Sequence, residues 1–311
     1  MDVLRLNNPR LGIEILPDVG GGLSRFTWHG REEPVALMRT GDLTVTVPGG
    51  GLDPNQLACY PLVPWSNRIA EGGFVVNGRR IALSANRHDE PFPIHGSGWQ
   101  RAWQPQRLGE HDVLLSLNDT MPDGWSYRAN LRYTLRDDAL HIGLEVTNTS
   151  AATMPFGLGL HPFFPRHGKV ALHAPASKVW VNNGQSPLPE CLVDVLPAWD
   201  FRESQPVPGD GVNHGFCSWT GDATIAWTDL GLRLHVETDV DAFVMYTPAS
   251  DNFFCFEPVD HAINAVHLPG GPVANGMTML APGASLARRF VFRVTDDTLA
   301  PGTSPNQDSP A

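Results

Sequence analysis

Between residues 127 and 146, apolar side chains fall at every second position. They are Tyr127, Ala129, Leu131, Tyr133 and Leu135, then, after an Asp137-Asp138 step, Leu140, Ile142, Leu144 and Val146. A period of two marks a strand with one buried and one wet face, and an acidic step between two such runs predicts an antiparallel pair. The stretch ATIAWTDLGLRLHVET repeats the pattern, with Leu230, Leu232, Leu234 and Val236 inward and Arg233, His235 and Glu237 outward. In FVVNGRRIAL, Asn77-Gly78 separates two apolar runs; both residues accept the positive φ of a two-residue type I′ turn, which predicts a hairpin. AFVMYTP, NFFCFEP and RRFVFRV carry the series to about residue 294.

No window shows an apolar period of 3.6, and 31 glycines and 28 prolines punctuate short runs, so helices should be few and short. The chain reads as mostly β. So many antiparallel strands need their edges hidden, which leaves a large twisted sandwich or a closed barrel. Without a repeat or an internal linker, residues 1–295 read as one domain, and the Pro-, Ser- and Asp-rich residues 296–311 as a disordered tail.

The net charge of −11 argues against nucleic acid or an anionic membrane surface as partner and favours a small neutral or cationic molecule. Four scattered cysteines, Cys59, Cys191, Cys217 and Cys255, read as reduced thiols. The N-terminus has no apolar leader core, and no stretch approaches the roughly 18 apolar residues of a membrane span, so a cytoplasmic location is expected.

Three stretches place a titratable side chain at the end of an apolar run beside Gly or Pro: His95 in FPIHGSGW, His161 in GLGLHPFFP and Glu257 in FFCFEPVDHAINA. Each has an ordinary alternative: a satisfied turn residue for His95, a lone core histidine for His161, and a salt bridge, for example to Arg68, for Glu257. Together, two imidazoles and a partly desolvated carboxylate make an acid/base set near neutral pH, and proton transfer is the reaction class they imply. No metal is expected. His161, His167 and His173 recur every six residues, which fits neither a strand face nor a zinc pattern, and DVDA at 239–242 is too brief for a calcium loop. There is no GxSxG elbow, no reactive-cysteine setting and no phosphate-cradling glycine loop.

Five ordered segments resemble the aldose 1-epimerase, or galactose mutarotase, family: PLVPWSNRI with its following hairpin, IHGSGW, GLGLHPFF, FFCFEPVDHAINA and GMTMLAPGASLARRFVFRV. The resemblance implies that family's large antiparallel β-sandwich. It also implies interconversion of the α and β anomers of a free aldohexose, without cofactor, by a monomer or homodimer. Glu257 corresponds to the base that takes the proton of the anomeric hydroxyl, and His161 to the acid that protonates the ring oxygen. His95 would stabilise charge beside them, and Asn67, Arg68 and Asn213 would hold sugar hydroxyls. Acid and base would face the ring from different sides, and Trp65, Trp99 or Phe163 could pack on its apolar face.

The sequence departs from the family at GVNHGFCSW, where Asn213 stands in place of a frequent aspartate; His214 beside it is expected to face solvent. Two alternatives remain. A hexose-6-phosphate 1-epimerase would need clustered basic residues, whereas Arg79 and Arg80 flank a hairpin turn; the other is a non-catalytic sugar-binding protein on the same fold.

Overall fold

The computed structural model describes residues 2–298 apart from 49, 250 and 251. Its strands form two large sheets. The first runs edge to edge through Leu4–Asn7, Leu11–Leu16, Gly22–Trp28, Cys59–Leu62, Gly159–Pro165, Phe253–Val259, Ala242–Tyr246, Asn213–Trp219, Ala176–Val181 and Cys191–Asp194, with Val35–Ala36 beside Gly22–Trp28. The second runs through Gln205–Pro206, Val170–His173, Asp222–Trp227, Leu232–Thr238, Ser285–Asp296, Ala139–Asn148, Ser126–Arg136, Asp112–Thr120 and Gln104–Gly109.

Alternation packs one sheet on the other. Leu131, Tyr133 and Leu144 of the second sheet share a single buried cluster with Leu160, Phe164, Phe254 and Phe256 of the first. Each such side chain contributes about 1.5–3 kcal/mol of burial. Polar groups bridge the same layer: the Tyr133 hydroxyl donates to the Gly21 carbonyl at 2.9 Å, and Trp227 Nε1 to the Pro165 carbonyl at 2.8 Å. Of the two architectures left open by strand count, the molecule adopts the sandwich.

The alternating run at 127–146 forms the expected pair, with Leu131 opposite Leu144 and the turn at Asp137-Asp138. Leu230 is an exception to its run: it lies in the turn before Leu232–Thr238 and is only partly buried. The Asn77-Gly78 hairpin joins Gly73–Val76 to Arg79–Ala82 as a separate two-stranded sheet, with φ of 50° and 73° at the turn. Among the described residues helix is confined to one α turn, Gly271–Ala274, and four 3-10 turns.

The last strand continues past residue 295. Asp296 completes it and accepts hydrogen bonds from Arg31 Nε at 2.7 Å and Trp28 Nε1 at 3.2 Å. The rest of the expected tail, from residue 299 on, lies outside the described residues.

Candidate active site

The period of two decides what lies on the outer face of the first sheet. Along Phe253–Val259, Phe254 and Phe256 enter the core between the sheets, while Cys255 and Val259 belong to a second cluster on the opposite face. Glu257 shares that parity. On the neighbouring strand Leu160 and Phe164 point inward, and His161 and Phe163 outward. The register sets Phe163 against Cys255 and Gly159 against Val259, so His161 and Glu257 stand opposite each other between those pairs. Two residues 96 positions apart thereby become cross-strand neighbours, with His161 Nε2 and Glu257 Oε1 3.4 Å apart.

The pair forms the floor of a cavity of about 510 Å³, within the roughly 300–1,000 Å³ usual for small-molecule sites. Both side chains are almost wholly buried, at 7% and 2% exposure. Burial pushes the Glu257 carboxyl up to about 8, against an opposing pull from Arg68. Burial, and then the nearby Arg39 charge, holds the His161 imidazole well below its ordinary value. Both effects disfavour charge, so the pair keeps one proton between its two members over a broad pH range. His161 Nδ1 and Glu257 Oε2 have no hydrogen-bond partner among the described residues.

His95 forms the third edge of this floor, its ring edge-on to His161 at 5.1 Å. The Asn67 backbone N–H donates to His95 Nδ1 at 3.1 Å, so the neutral ring carries its proton on Nε2 and is a donor there. Burial, then the neighbouring His161, lowers its basicity. Backbone geometry holds it in place: His95 and Gly96 are both left-handed, at φ 61° and 67°, and a Cβ on Gly96 would lie 2.3 Å from the Val63 carbonyl oxygen. The Asn86 side chain brackets the loop, donating to the carbonyls of Ile94 and Gly96 at 2.8 and 2.9 Å and accepting the Ile94 N–H at 2.8 Å.

The walls carry charge. Arg68 donates through Nε and Nη2 to Glu90 Oε2 at 3.0 and 2.7 Å, and through Nη1 to Asn67 Oδ1 at 3.2 Å. Arg87 makes a two-point contact with Asp89 at 2.7 and 2.6 Å. The Arg39 guanidinium lies 3.5 Å over the Phe163 ring.

Of the residues singled out in the sequence, His95, His161, Glu257, Asn67, Arg68 and Asn213 all line this cavity, and so does Phe163. Trp99 does not: it stacks beneath Tyr60 at 5.2 Å and donates Nε1 to the Gly96 carbonyl, so it supports the floor from below. Trp65 lies in the core against Trp125. Arg68 pairs with Glu90 rather than with Glu257. His214 points away from the cavity, because adjacent strand positions face opposite sides; it is buried against Trp199 at 4.6 Å rather than solvated. Acid and base also do not flank the cavity from opposite sides, since pairing of adjacent strands places them side by side.

Arg39, Arg87, Tyr246 and Phe253 line the cavity and were not anticipated. Parity with Glu257 and Val244 could have found Phe253 and Tyr246. The two arginines lie outside any strand and left no periodic signal. Nor did the histidine spacing point to the group that folding gathers: one ligand atom each from His161, Cys255 and Glu257 lies within 4.8 Å of the others.

A donor and an acceptor that share one proton on a sheltered floor, with a fixed N–H beside them, can take a proton from one atom of a bound molecule and return one to another. A family model described as aldose 1-epimerase matches residues 2–293. The uncharacterized protein YphB of Escherichia coli K12 is 32% identical over 303 residues, covering 94% of this chain and 99% of YphB. The crystal structure of a candidate aldose 1-epimerase from the same organism superposes with a TM-score of 0.85 at 28% identity, over 94% of this chain and 99% of that one. Galactose 1-epimerase of Lactobacillus acidophilus shares the fold, with a TM-score of 0.71 at 18% identity over 95% of each chain.

Proposed function

The chain belongs to the aldose 1-epimerase family, and from that premise we propose that it interconverts the α and β anomers of free aldohexoses by acid/base-catalysed ring opening and reclosure. The observation that carries this reading is the 3.4 Å contact between His161 and Glu257 on the cavity floor. The two oxygens that exchange protons in a cyclic aldose, O1 and O5, are both bonded to C1. A donor and acceptor side by side reach both at once.

The proton count closes. The resting pair keeps its one proton on Glu257; once that proton has passed to His161 across the 3.4 Å contact, Glu257 takes the O1 proton while His161 gives its proton to O5, and the C1–O5 bond breaks to leave the open-chain aldehyde. The pair then holds its one proton on Glu257. Rotation about C1–C2 presents the other carbonyl face, and the reverse transfers close the ring as the other anomer. Because the pair ends each cycle as it began, no cofactor is consumed. His95 Nε2–H supplies a neutral donor toward the oxygen that becomes negative in passing, and Arg68, Asn67 and Asn213 hold hydroxyls.

Arg39, Arg68 and Arg87 around one cavity keep a phosphorylated hexose as the second reading. The pairing of Arg68 with Glu90 and of Arg87 with Asp89 offsets two of these charges and supports a neutral sugar as substrate. None of the four cysteines is in a disulfide, and among the described residues no helix is long and apolar enough to cross a membrane; the first fact supports a reducing, cytoplasmic location.

The test is polarimetry on freshly dissolved α-D-glucose, α-D-galactose and the corresponding 6-phosphates. Acceleration of the neutral sugars above the buffer rate is expected. A rate at the buffer value for every sugar would overturn the epimerase reading.

A further inference from the structure

We propose that His161, Cys255 and Glu257 also form a binding site for a thiophilic divalent cation of the zinc class, and that an ion held there stops the proton relay. The sheet alone assembles the ligands. Cys255 and Glu257 are two apart on one strand and project to the same face, and the register that pairs Phe163 with Cys255 sets His161 opposite Glu257. With one ligand atom from each already within 4.8 Å of the others, closing to the ~3.4–3.8 Å between ligands of a tetrahedral ion asks for side-chain adjustment on a fixed backbone. Imidazole nitrogen, thiolate and carboxylate oxygen are the donors a borderline-soft cation takes, and three protein ligands leave a fourth position toward the cavity.

A second observation points the same way. Glu257 Oε2 is buried without a hydrogen-bond partner among the described residues, so an unspent carboxylate lone pair lies where desolvation is costly.

Coordination balances as follows. The thiol gives up its proton, and so does the His161–Glu257 pair, so two protons leave to solvent for each dication bound. The ion then meets a thiolate, a carboxylate and a neutral imidazole, and the site has no net charge. Affinity should therefore rise with pH. With its lone pairs engaged, the pair can neither take nor return a proton. The loss of turnover rests on the proposed function; the coordination does not.

Titrating the full chain with cobalt(II) separates the two. Wild type should give a saturable 1:1 thiolate-to-cobalt charge-transfer band with the visible bands of a four-coordinate ion, reversed by EDTA or displaced by zinc. Cys255→Ala should lose the charge-transfer band, with Cys255→Ser as the second variant should the alanine form fail to fold. Glu257→Gln should keep the band but saturate only at markedly higher cobalt, because a charged ligand is lost. Cys191→Ser, at an exposed thiol, should behave as wild type. In polarimetry, zinc should slow wild type reversibly, and Cys255→Ala should need far more zinc for the same slowing relative to its own metal-free rate.

No band in wild type, or an unchanged band in Cys255→Ala, overturns the site. A band with no effect of zinc on turnover overturns the switch. A band in a wild type that leaves every sugar at its buffer rate supports the site and counts against the proposed function instead.

Discussion

Replacing Glu257 by Gln keeps the shape of the side chain and removes its charge, and activity and stability should respond with opposite signs. The folded protein holds the Glu257 proton up to about pH 8, whereas the unfolded chain releases it near its ordinary value of 4.5. Folding therefore takes up a proton between those limits. Wild-type stability from this group is full below pH 4.5 and declines as pH rises through 8. Glutamine has no such dependence. At about 1.4 kcal/mol per pH unit the window amounts to at most about 5 kcal/mol, and the near-complete burial of Glu257 leaves little solvent screening to reduce it. Activity should meanwhile drop by ~10²- to 10⁴-fold, the usual contribution of one positioned base. Urea unfolding of both proteins at about pH 4.5 and about pH 8.5 reads the first effect, and polarimetry the second. Glu257→Gln should gain on wild type by several kcal/mol between the two pH values, an ordinary trade of stability for function. A stability difference that is the same at both would refute the claim that this carboxylate is buried at a cost to the fold.

The pH–rate profile should be bell-shaped, its basic limb near 8, where the pair loses its one proton, and its acid limb well below the ordinary histidine value of 6.5; a single rise through 6.5, read from progress curves across pH, would contradict the shared proton. Asn86→Ala removes the three hydrogen bonds that bracket His95, so kcat should fall roughly 10-fold with KM little changed and stability should fall by about 1–3 kcal/mol, measured by steady-state polarimetry and urea unfolding. Asp296→Asn breaks the contact with Arg31 and should destabilise the sandwich by about 1–2 kcal/mol, because charge-assisted bonds are lost at a covered carboxylate whose arginine partner is partly exposed. That hydrogen bond holds the Asp296 carboxyl below its ordinary range, so the wild-type advantage should be full above pH 3.8 and fade as pH falls further, when unfolding is compared in acid.

The strands were legible because alternation is a local signal: the 127–146 pair and the Asn77-Gly78 hairpin needed only neighbouring residues to be read. Which side chains share a face was legible too, once a strand was assigned. Register was not. That His161 meets Glu257 side by side depends on how strands distant in sequence pair. His214 shows the limit in the other direction: its strand was visible, but its orientation requires knowing which face of Asn213–Trp219 meets the core, and the pairing of Phe216 with Phe243 in that core settles it. Arg39 and Arg87 reach the cavity from irregular segments, where no period exists to read.

Register also ties the chemistry to the core beneath it. A slip of one residue between Gly159–Pro165 and Phe253–Val259 would turn a whole strand over, sending His161 or Glu257 into the layer between the sheets and lifting Phe164 or Phe254 into the cavity. The cost of exposing those aromatics and of burying an ionisable group in an apolar layer is several kcal/mol, far above thermal energy. Leu160, Phe164, Phe254 and Phe256, none of which touches the cavity, thus fix the separation of the proton donor from its acceptor more firmly than any hydrogen bond the pair makes. The same packing dries the floor, and dryness is what raises the carboxyl and lowers the imidazole. The inter-sheet core therefore sets both the geometry and the proton affinity of the pair.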